Sequence, residues 1–339
     1  MGKILVTGGT GYIGSHTVVE LQQNGFDVLI VDNLSNSRKE VLTKIADISG
    51  TMPDFVELDL RNESAVMNLF KNHSIDAVIH FAASKSVGES VQNPHLYYHN
   101  NVGAMLHLIK AMEMHEVKSF VFSSSCTVYG QPDQLPVTEQ TPTKPAESPY
   151  GNTKKICEDI LRDYTKVNAS FQAIALRYFN PVGAHESALI GERPSGVPNN
   201  LIPYLLETVA GIREKLSVFG DDYSTPDGTA VRDYIHVVDL AKAHVIALQR
   251  MLAEKQKSNY EVFNLGSGNG YSVLEIIQAF EKVNDIKVNY EIAPRRAGDI
   301  EKIYADTTYA NDELGWSAAL GIDEMMRTAW AWQKKLSAE

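Results

Sequence analysis

Short, nearly continuous apolar segments alternate along the chain with stretches in which apolar residues recur at helical spacing. The apolar segments are rich in β-branched and aromatic residues and are predicted to be strands: KILVTGG, FDVLIVDN, DFVELDL, DAVIHFAA, SFVFSSS and FQAIALRYF. Helices are predicted at residues 13–24, 41–48, 63–72 and 97–114 and in the segment after Tyr150. Because strands buried on both faces alternate with helices, the predicted fold class is α/β, with a doubly wound parallel sheet.

The pattern changes after Asn180. Residues 181–200 are rich in glycine, proline and polar residues, which predicts a long loop. Helical spacing returns at residues 201–212, 238–253, 272–283 and 322–335, with short strands between them. We therefore predict two domains: residues 1–180, and residues 181–339 as a smaller mixed α/β C-terminal lobe for substrate, with some segments returning to the first domain.

Composition and charge narrow the class of protein. The 339 residues are 44 % hydrophobic and 22 % charged, as in ordinary globular proteins. The net charge of −11 argues against nucleic acid or an anionic membrane as the main partner. The two cysteines cannot build a disulfide framework, no Cys/His cluster has zinc spacing, and no signal peptide or membrane span is evident. We expect a cytoplasmic protein without a bound metal.

The segment TGGTGYIGSH joins the first predicted strand to the first predicted helix. Gly8, Gly11 and Gly14 form a G-x-x-G-x-x-G pattern, and Gly9, Gly11 and Gly14 also satisfy G-x-G-x-x-G. Glycines at such a turn let the backbone approach a pyrophosphate, whose negative charge is stabilised at the helix N-terminus. The context of strand, turn and helix favours a Rossmann-type dinucleotide site over a tight turn without a ligand.

An acidic residue ends the second predicted strand. Asp32 follows Gly14 by about 20 residues, which is where an acid that binds the ribose hydroxyls is expected. A carboxylate at this position would repel a 2′-phosphate, and the next residue, Asn33, is not an arginine. The predicted cofactor is therefore NAD rather than NADP.

The segments SSSCTVYG and SPYGNTKK contain the candidate catalytic residues. Ser125 follows a predicted strand, and Tyr150 and Lys154 lie one helical turn apart. A serine hydroxyl can hydrogen-bond a substrate hydroxyl, and a tyrosine can exchange its proton. A lysine ammonium nearby favours the phenolate of a tyrosine, whose usual pKa is about 10. With the nucleotide turn upstream, we interpret Ser125, Tyr150 and Lys154 as a catalytic set.

Longer motifs extend these matches over essentially the whole chain. These motifs are VTGGTGYIGSH, VDNLSNS, HFAASKSVGESVQNP, NNV, SSSCTVYG, SPYGNTK, LRYFNPVGAH, PNNLIPY, DGTAVRDYIHVVDLA, FNLGSG and PRRAGD. Through them the chain resembles the extended short-chain dehydrogenases/reductases and, among these, the UDP-glucose 4-epimerases. RYFNPVGAH and RDYIHVVDLA are much more specific than the glycine turn.

The resemblance implies a set of binding residues for each ligand. For NAD it implies the glycine turn, Tyr12, Ile13, Asp32, Asn33, Leu34, Ser35, Asn36, Ser37, Asp59, Leu60, Phe81, Ala82, Ala83, Ser84, Lys85, Asn100, Ser125, Tyr150, Lys154 and Phe179. For a UDP-hexose it implies Ser125, Tyr150, Asn180, Asn200, Leu201, Ser217, Val218, Phe219, Arg232, Arg296 and Asp299. The two arginines would supply positive charge that the acidic chain otherwise lacks.

The resemblance also implies the reaction. UDP-galactose and UDP-glucose would interconvert when Tyr150 takes the proton of the 4-hydroxyl, Ser125 relays or orients it, and the C4 hydride passes to tightly bound NAD. The 4-keto sugar would then turn over, and the hydride would return to its other face. A homodimer is implied, in which the helices near residues 97–114 and 150–167 pair; a monomer is the alternative.

The residues argue against three other functions. A nucleotide-sugar 4,6-dehydratase of the same fold needs an acid pair before Val-Tyr-Gly, where this chain has Cys126 and Thr127. A simple alcohol dehydrogenase would use the catalytic set without the UDP motifs, and an NAD-sensing regulator would not need the set. Cys126 has no histidine beside it in sequence, so we expect a buried small residue rather than a nucleophile.

Ile303 bears on the breadth of the sugar pocket. Members of the family that are restricted to UDP-glucose tend to carry a bulky tyrosine at this position, and members that accept N-acetyl sugars carry a small residue. Isoleucine is intermediate, and an alignment shifted by one would place Tyr304 there. Glucose and galactose are favoured, and acetylated sugars stay open.

Overall fold

The computed structural model describes residues 3–296 and 299–338. They group into two compact units, each made of several chain segments. The N-terminal unit comprises the residues up to Gly130, Pro142–Arg177 and Ala241–Phe263. The C-terminal unit comprises Gln131–Thr141, Tyr178–Leu240 and the residues from Asn264 onward. Within the described ranges, no helix combines the length and the apolar character needed to cross a membrane.

The strands of both units are short, and the longest has seven residues. In chain order they are β1 (Lys3–Thr7), β2 (Asp27–Asp32), β3 (Asp54–Glu57), β4 (Ala77–His80), β5 (Ser119–Ser123), β6 (Gln172–Tyr178), β7 (Asn180–Val182), β8 (Leu216–Phe219), β9 (Val231–His236), β10 (Tyr260–Leu265), β11 (Gly270–Ser272), β12 (Tyr290–Ala293) and β13 (Lys302–Ile303).

Helices lie between most of these strands. They are α1 (Tyr12–Gln23), α2 (Val41–Ser49), α3 (Glu63–Asn72), α4 (Val87–Gln92), α5 (Pro94–Tyr97), α6 (Ala104–Met114), α7 (Pro149–Val167), α8 (Leu201–Val209), α9 (Val237–Leu252), α10 (Val273–Asn284) and α11 (Ile322–Leu336), with π-helical turns at Tyr98–Gly103 and Ala310–Leu314 and a 3₁₀ turn at Cys126–Tyr129.

A seven-stranded sheet in the order β10-β6-β5-β4-β1-β2-β3 organises the N-terminal unit. The pairs from β6 to β3 are parallel, and β1, β2 and β4 are almost completely buried. Helix α1 packs on α2, and α3 packs on α6. The predicted α/β class with a doubly wound parallel sheet is confirmed. The strand order reverses between β1 and β4, and ligands bind at such a reversal, beyond the carboxyl ends of the strands.

The C-terminal unit is mixed in strand direction. Strand β9 pairs in parallel with β7 and β13 and antiparallel with β11, and β8 pairs in parallel with β12. Helices α8, α10 and α11 contribute to one apolar cluster with β8 and β9, which includes Leu205, Val218, Phe280 and Met326. Helix α10 begins with a capping box, in which Ser272 and Glu275 satisfy each other's backbone N–H groups.

Two predicted elements differ from the structure. The helix predicted at residues 97–114 is interrupted, because α5 and the π-helical turn Tyr98–Gly103 precede α6. The loop predicted at residues 181–200 contains Pro181 and Val182 of strand β7. Because β7 pairs only with β9 among the described strands, the missing N–H of Pro181 is tolerated at the edge of this sheet.

Candidate active site

The glycine turn lies between β1 and α1, as predicted. Gly8 has φ +70°, and a Cβ on it would lie 2.8 Å from the Ala82 backbone nitrogen. A Cβ on Gly14 would lie 2.2 Å from the Gly8 carbonyl oxygen. The N-cap residue of α1 is Gly11, which has no side chain to cap the helix. This turn therefore presents helix N–H groups in a space that only glycine leaves open, and it fits a pyrophosphate.

The loop after β2 is organised by Asp32. Its carboxylate accepts hydrogen bonds from the Thr10 N–H at 3.3 Å, the Leu34 N–H at 3.0 Å and the Ser37 hydroxyl at 3.1 Å. The Leu34 bond supports a backbone φ of 56°, which a leucine adopts only under constraint. Asp32 thus joins the glycine turn to the predicted ribose-binding run of residues 32–37.

The predicted adenine-binding residues come next to this run. Asn33 Nδ2 donates to Asp59 Oδ2 at 3.4 Å. Hydrogen bonds from Arg61 lower the pKa of Asp59 to about 2, so its carboxylate is ionised at neutral pH. Leu60 is buried, and its carbonyl oxygen lies 2.8 Å from His107 Nδ1. The structure therefore brings residues 32–37, Asp59 and Leu60 to one edge of the sheet.

Residues 81–85 continue from β4 and meet Asn100. The Ala82 N–H donates to Thr7 Oγ1 at 3.4 Å, and Asn100 Nδ2 donates to Ser84 Oγ at 3.0 Å. Asn101, which the sequence analysis did not select, donates to both the Ser84 carbonyl and Thr153 Oγ1 at 3.0 Å. The NNV motif contains this residue. Its partner Thr153 is on α7, 52 positions away, so the sequence alone does not reveal the contact.

Tyr150 and Lys154 lie one turn apart on α7. The helix begins with Ser148 as N-cap, whose side chain accepts a hydrogen bond from the Gly151 N–H, and with Pro149 in the first turn. Lys154 is 4 % exposed, and its Nζ donates to the Ser123 carbonyl at 2.7 Å. Burial lowers the pKa of Lys154 to about 8, while Cys157 and Glu158 act in the opposite direction. The Lys154 ammonium therefore titrates near neutral pH, and it lies next to the segment that leads to the candidate catalytic residue Ser125.

Ser125 follows β5 and caps the 3₁₀ turn, accepting a hydrogen bond from the Thr127 N–H at 3.3 Å. Ser125 and Tyr150 are 6 % and 7 % exposed, respectively. Among the residues that the structure describes, Thr127 Oγ1 is buried without a hydrogen-bond partner. Cys126 is only half-buried, which corrects the expectation of a buried thiol at this position.

A buried polar network adjoins this set and was not predicted. Arg177 forms an ion pair with Glu158, and Ser124 donates to Glu158 as well. The signal available in the sequence was the run of three serines before Cys126 and the spacing of four between Lys154 and Glu158. These residues belong to three elements of the N-terminal unit.

Apart from Ser125 and Tyr150, the predicted UDP-hexose residues lie in the C-terminal unit, and several of them are in contact. Arg232 Nη2 pairs with Asp299 Oδ1 at 2.6 Å, and the Asp299 N–H donates to the Arg296 carbonyl at 3.2 Å. The Arg296 guanidinium lies 4.6 Å from the centre of the Phe219 ring. The structure therefore groups two cations with an aromatic ring; Ala297 and Gly298 of the PRRAGD motif lie outside the described residues.

The other predicted substrate residues are distributed over several elements. Ser217, Val218 and Phe219 belong to β8, and Asn180 begins β7. Asn200 is the N-cap of α8, where Leu201 is the first residue, and makes no side-chain capping bond. The N–H of buried Phe179, a predicted cofactor residue, donates to Leu265.

The strand pairing distinguishes Ile303 from Tyr304, because the two residues have different partners. Ile303 is 3 % exposed and pairs with Arg232 between β13 and β9. Next in the chain, the carbonyl of Tyr304 accepts a hydrogen bond from Val137. Ile303 is thus the residue in register with the predicted UDP-binding arginine.

Asp233 organises the segment around that arginine and was also missed. It is fully buried and accepts hydrogen bonds from Ser267 N–H at 2.8 Å, Ser267 Oγ at 2.7 Å, Gly268 N–H at 3.2 Å and Ala305 N–H at 3.1 Å. A Cβ on Gly266 would lie 2.3 Å from Asp233 Oδ2. The glycines of the FNLGSG motif therefore let the Asp233 carboxylate lie close to the backbone, because a side chain on Gly266 would clash with it and the Gly268 N–H donates to it.

Known proteins resemble this chain over nearly its whole length. The model of the NAD dependent epimerase/dehydratase family matches residues 4–266. UDP-glucose 4-epimerase from Erwinia amylovora is 52 % identical, over 98 % of this chain and 98 % of that protein.

Solved structures extend the likeness to the fold. UDP-glucose-4-epimerase from Stenotrophomonas maltophila, crystallised with NAD and formylated UDP-arabinopyranose, has a TM-score of 0.96 and 49 % identity, and covers 100 % of this chain and 99 % of that one. UDP-glucose 4-epimerase from Bifidobacterium longum, in complex with NAD+ and UDP, has a TM-score of 0.94 and 49 % identity over 98 % of each chain. The resemblance inferred from the motifs is confirmed. The chain belongs to the NAD dependent epimerase/dehydratase family.

Proposed function

We propose that this chain interconverts UDP-galactose and UDP-glucose by transient oxidation at C4 of the hexose, as an isomerase of galactose metabolism. The observation that carries the proposal is the buried pair of Tyr150 and Lys154 on α7, with Lys154 held at Ser123 beside Ser125. Relatives that are named UDP-glucose 4-epimerases, and that are identical to this chain at about half of the aligned positions, support the same reaction.

The N-terminal unit holds NAD through the residues predicted for it, of which only Phe179 belongs to the C-terminal unit. The α1 N–H groups at the glycine turn bind the pyrophosphate, and the run from Asp32 to Ser37 binds the adenosine ribose. Asp59 and Leu60 bracket the adenine, and residues 81–85 with Asn100 line the remainder of the site. NAD, when bound, supplies the hydride acceptor and donor.

Proton transfer at the 4-hydroxyl belongs to Tyr150. The phenolate takes the proton when the C4 hydride leaves, and returns it when the hydride comes back to the other face of the 4-keto sugar. Ser125 orients the hydroxyl by a hydrogen bond. The Lys154 ammonium, kept charged below about pH 8, favours the phenolate.

The C-terminal unit binds UDP firmly and the hexose loosely, so the 4-keto hexose can rotate while UDP stays bound. Arg232 and Arg296 provide the positive charge for the diphosphate, which the overall charge of −11 does not. Asn180, Asn200, Leu201, β8 and Asp299 complete the set.

The substrate range and the competing reaction depend on three positions. A 4,6-dehydratase needs an acid pair where the chain has Cys126 and Thr127, so elimination of water is not supported. Activity on UDP-N-acetylhexosamines is the alternative that stays open. It depends on Ile303, whose buried side chain is in register with Arg232.

We further propose the domain division at residues 1–180 and 181–339, with some segments of the second domain returning to the first, a cytoplasmic location and a homodimer. Support for the dimer is the exposure of Tyr98 (36 %) and Leu106 (46 %) on the segment that leads into and forms α6. Asn152 Nδ2 on α7 donates to the Tyr98 hydroxyl at 2.7 Å, so the two helices predicted to pair across the dimer axis present a joint surface.

The test is conversion of UDP-galactose by the purified protein without added NAD. UDP-glucose formation that is lost in Tyr150→Phe supports the proposal. A 4-keto-6-deoxy sugar would indicate a dehydratase, and release of stoichiometric NADH with a demand for added NAD would indicate a simple dehydrogenase. A parallel assay with UDP-N-acetylglucosamine measures the breadth of the pocket.

A further inference from the structure

A buried ion pair in the N-terminal unit has no role in the reaction described so far. Arg177 Nη2 lies 2.6 Å from Glu158 Oε2, and the Arg177 Nε–H donates toward both carboxylate oxygens, at 3.0 and 3.2 Å. The two side chains are only 8 % and 4 % exposed. A buried ion pair gains little stability over apolar residues of the same volume, because both ions lose their hydration. Stability alone therefore does not account for the pair.

The pair is fixed from two directions. Arg177 Nη1 donates to the Tyr129 hydroxyl at 3.0 Å, and the guanidinium lies 4.9 Å from the centre of the Tyr129 ring. Glu158 is on α7, Arg177 on β6, and Tyr129 ends the 3₁₀ turn that Ser125 caps. The orientation of the Glu158 carboxylate is thus determined by elements other than its own helix.

One further contact connects the pair to the catalytic segment. Ser124 Oγ donates to Glu158 Oε1 at 2.5 Å, and the Ser124 N–H donates to the Leu176 carbonyl at 2.9 Å. Ser124 immediately precedes Ser125, and Glu158 lies one helical turn after Lys154. A hydrogen bond between buried groups of which one is charged is short and strong.

The catalytic set needs such a connection because it comes from two elements. Ser125 follows β5, whereas Tyr150 and Lys154 are on α7. Catalytic groups need to be held within about 0.5 Å of their productive geometry by residues that are themselves locked. Among the described contacts, Lys154 to the Ser123 carbonyl and Ser124 to Glu158 join the end of β5 directly to α7.

We propose that the Glu158–Arg177 pair is a positioning device, which acts through Ser124 to hold the end of β5, and with it Ser125, in register with Tyr150 and Lys154. Neither member of the pair touches the reacting atoms in this account. The inference rests on the proposed function, because positioning is measured through that reaction.

The test compares alanine variants of two serines, one directly after β5 and one at the start of that strand. Ser124→Ala removes the contact with Glu158 and leaves the ion pair intact. Ser119→Ala, at the start of β5, is the matched control, because Ser119 is also buried and is five residues from the contact. For each variant, kcat, the KM for UDP-galactose, the NAD content after gel filtration and the melting temperature are measured.

We expect kcat of Ser124→Ala to fall about 10- to 100-fold, the range for a displacement of catalytic groups by about 1 Å. Its KM and NAD content should match those of Ser119→Ala, and its melting temperature should lie within a few degrees of the control, because one hydrogen bond to a charged group contributes about 1.5–3 kcal/mol. A kcat within twofold of the control overturns the inference, and so does a kcat loss accompanied by loss of NAD or by a larger fall in melting temperature. An inactive wild type would instead refute the proposed function.

A charge variant provides a second, independent readout. The charged and titratable groups that interact with Lys154 or the Glu158 carboxylate are His80 from β4, Cys157 from α7, Arg177 from β6, and Tyr260 from β10. Tyr150 lies one helical turn before Lys154 on α7. Glu158 favours the charged form of Lys154, so Glu158→Gln should move the alkaline limb of kcat to lower pH.

Ser124→Ala changes no charge, so its alkaline limb should stay at the wild-type pH. A limb that moves in Ser124→Ala, or one that stays in a folded Glu158→Gln, contradicts the inference. If Glu158→Gln does not fold, because Arg177 is left buried without its partner, the Ser124 comparison decides alone.

Discussion

Replacement of Gly14 by alanine tests the glycine turn at its tightest point. The added Cβ would lie 2.2 Å from the Gly8 carbonyl oxygen and 2.9 Å from Gly9 Cα. Ordinary contacts of this kind exceed about 3 Å, so the turn and α1 must separate by about 1 Å. Overpacking of this size costs about 1–3 kcal/mol. The helical preference of alanine over glycine returns up to about 1 kcal/mol.

The larger effect falls on NAD. A shift of about 1 Å misaligns the α1 N–H groups that bind the pyrophosphate, and a hydrogen bond to a charged group contributes about 1.5–3 kcal/mol. Loss of one such bond raises the Kd for NAD by about 10- to 150-fold. The melting temperature should fall by only a few degrees.

Gly88→Ala is the matched control, because Gly88 is in α4 and a Cβ there meets no atom within 4 Å. It should bind NAD like the wild type and be slightly more stable. Kd is measured by isothermal titration with protein stripped of nucleotide. If Gly14→Ala binds NAD within threefold of Gly88→Ala, the assignment of this turn to the pyrophosphate is wrong.

Two further predictions concern the charges of the site. Burial lowers the pKa of Lys154 to about 8, so kcat should decline above about pH 8 as the ammonium deprotonates. A kcat that still rises between pH 8 and 9.5 would contradict the proposed role of the Lys154 ammonium in catalysis. Arg232→Lys removes the planar guanidinium group that pairs with Asp299. It should raise the KM for UDP-galactose about tenfold and leave kcat within threefold of the wild type. Arg213→Lys, in the same unit, should leave both constants unchanged.

The parts of the molecule that could be predicted are those specified by neighbouring residues. The α3 helix was predicted at its observed bounds, Glu63–Asn72, because its apolar spacing and the Asn62 cap are local signals. The glycine turn was predicted because strand, turn and helix follow one another within a few residues. Tyr150 and Lys154 were predicted one helical turn apart for the same reason, and one helix contains both.

The parts that were missed depend on distant residues. Ser124 and Glu158 are 34 positions apart, and Arg177 lies 19 positions after Glu158, so only the packing of β5, β6 and α7 reveals the network. Asp233 binds groups 34 and 72 positions away. The π-helical turn before α6 breaks a pattern that is continuous in sequence, because apolar spacing does not distinguish the two helix types over a single turn.

In the proposed reaction, the hydrogen removed from C4 returns to the same carbon. Purified protein is incubated in ordinary water with UDP-galactose that carries deuterium at C4, and the UDP-glucose formed is analysed by mass spectrometry and NMR. Essentially all of the product should keep deuterium at C4. Product in which that position carries hydrogen from the solvent would contradict the proposed reaction.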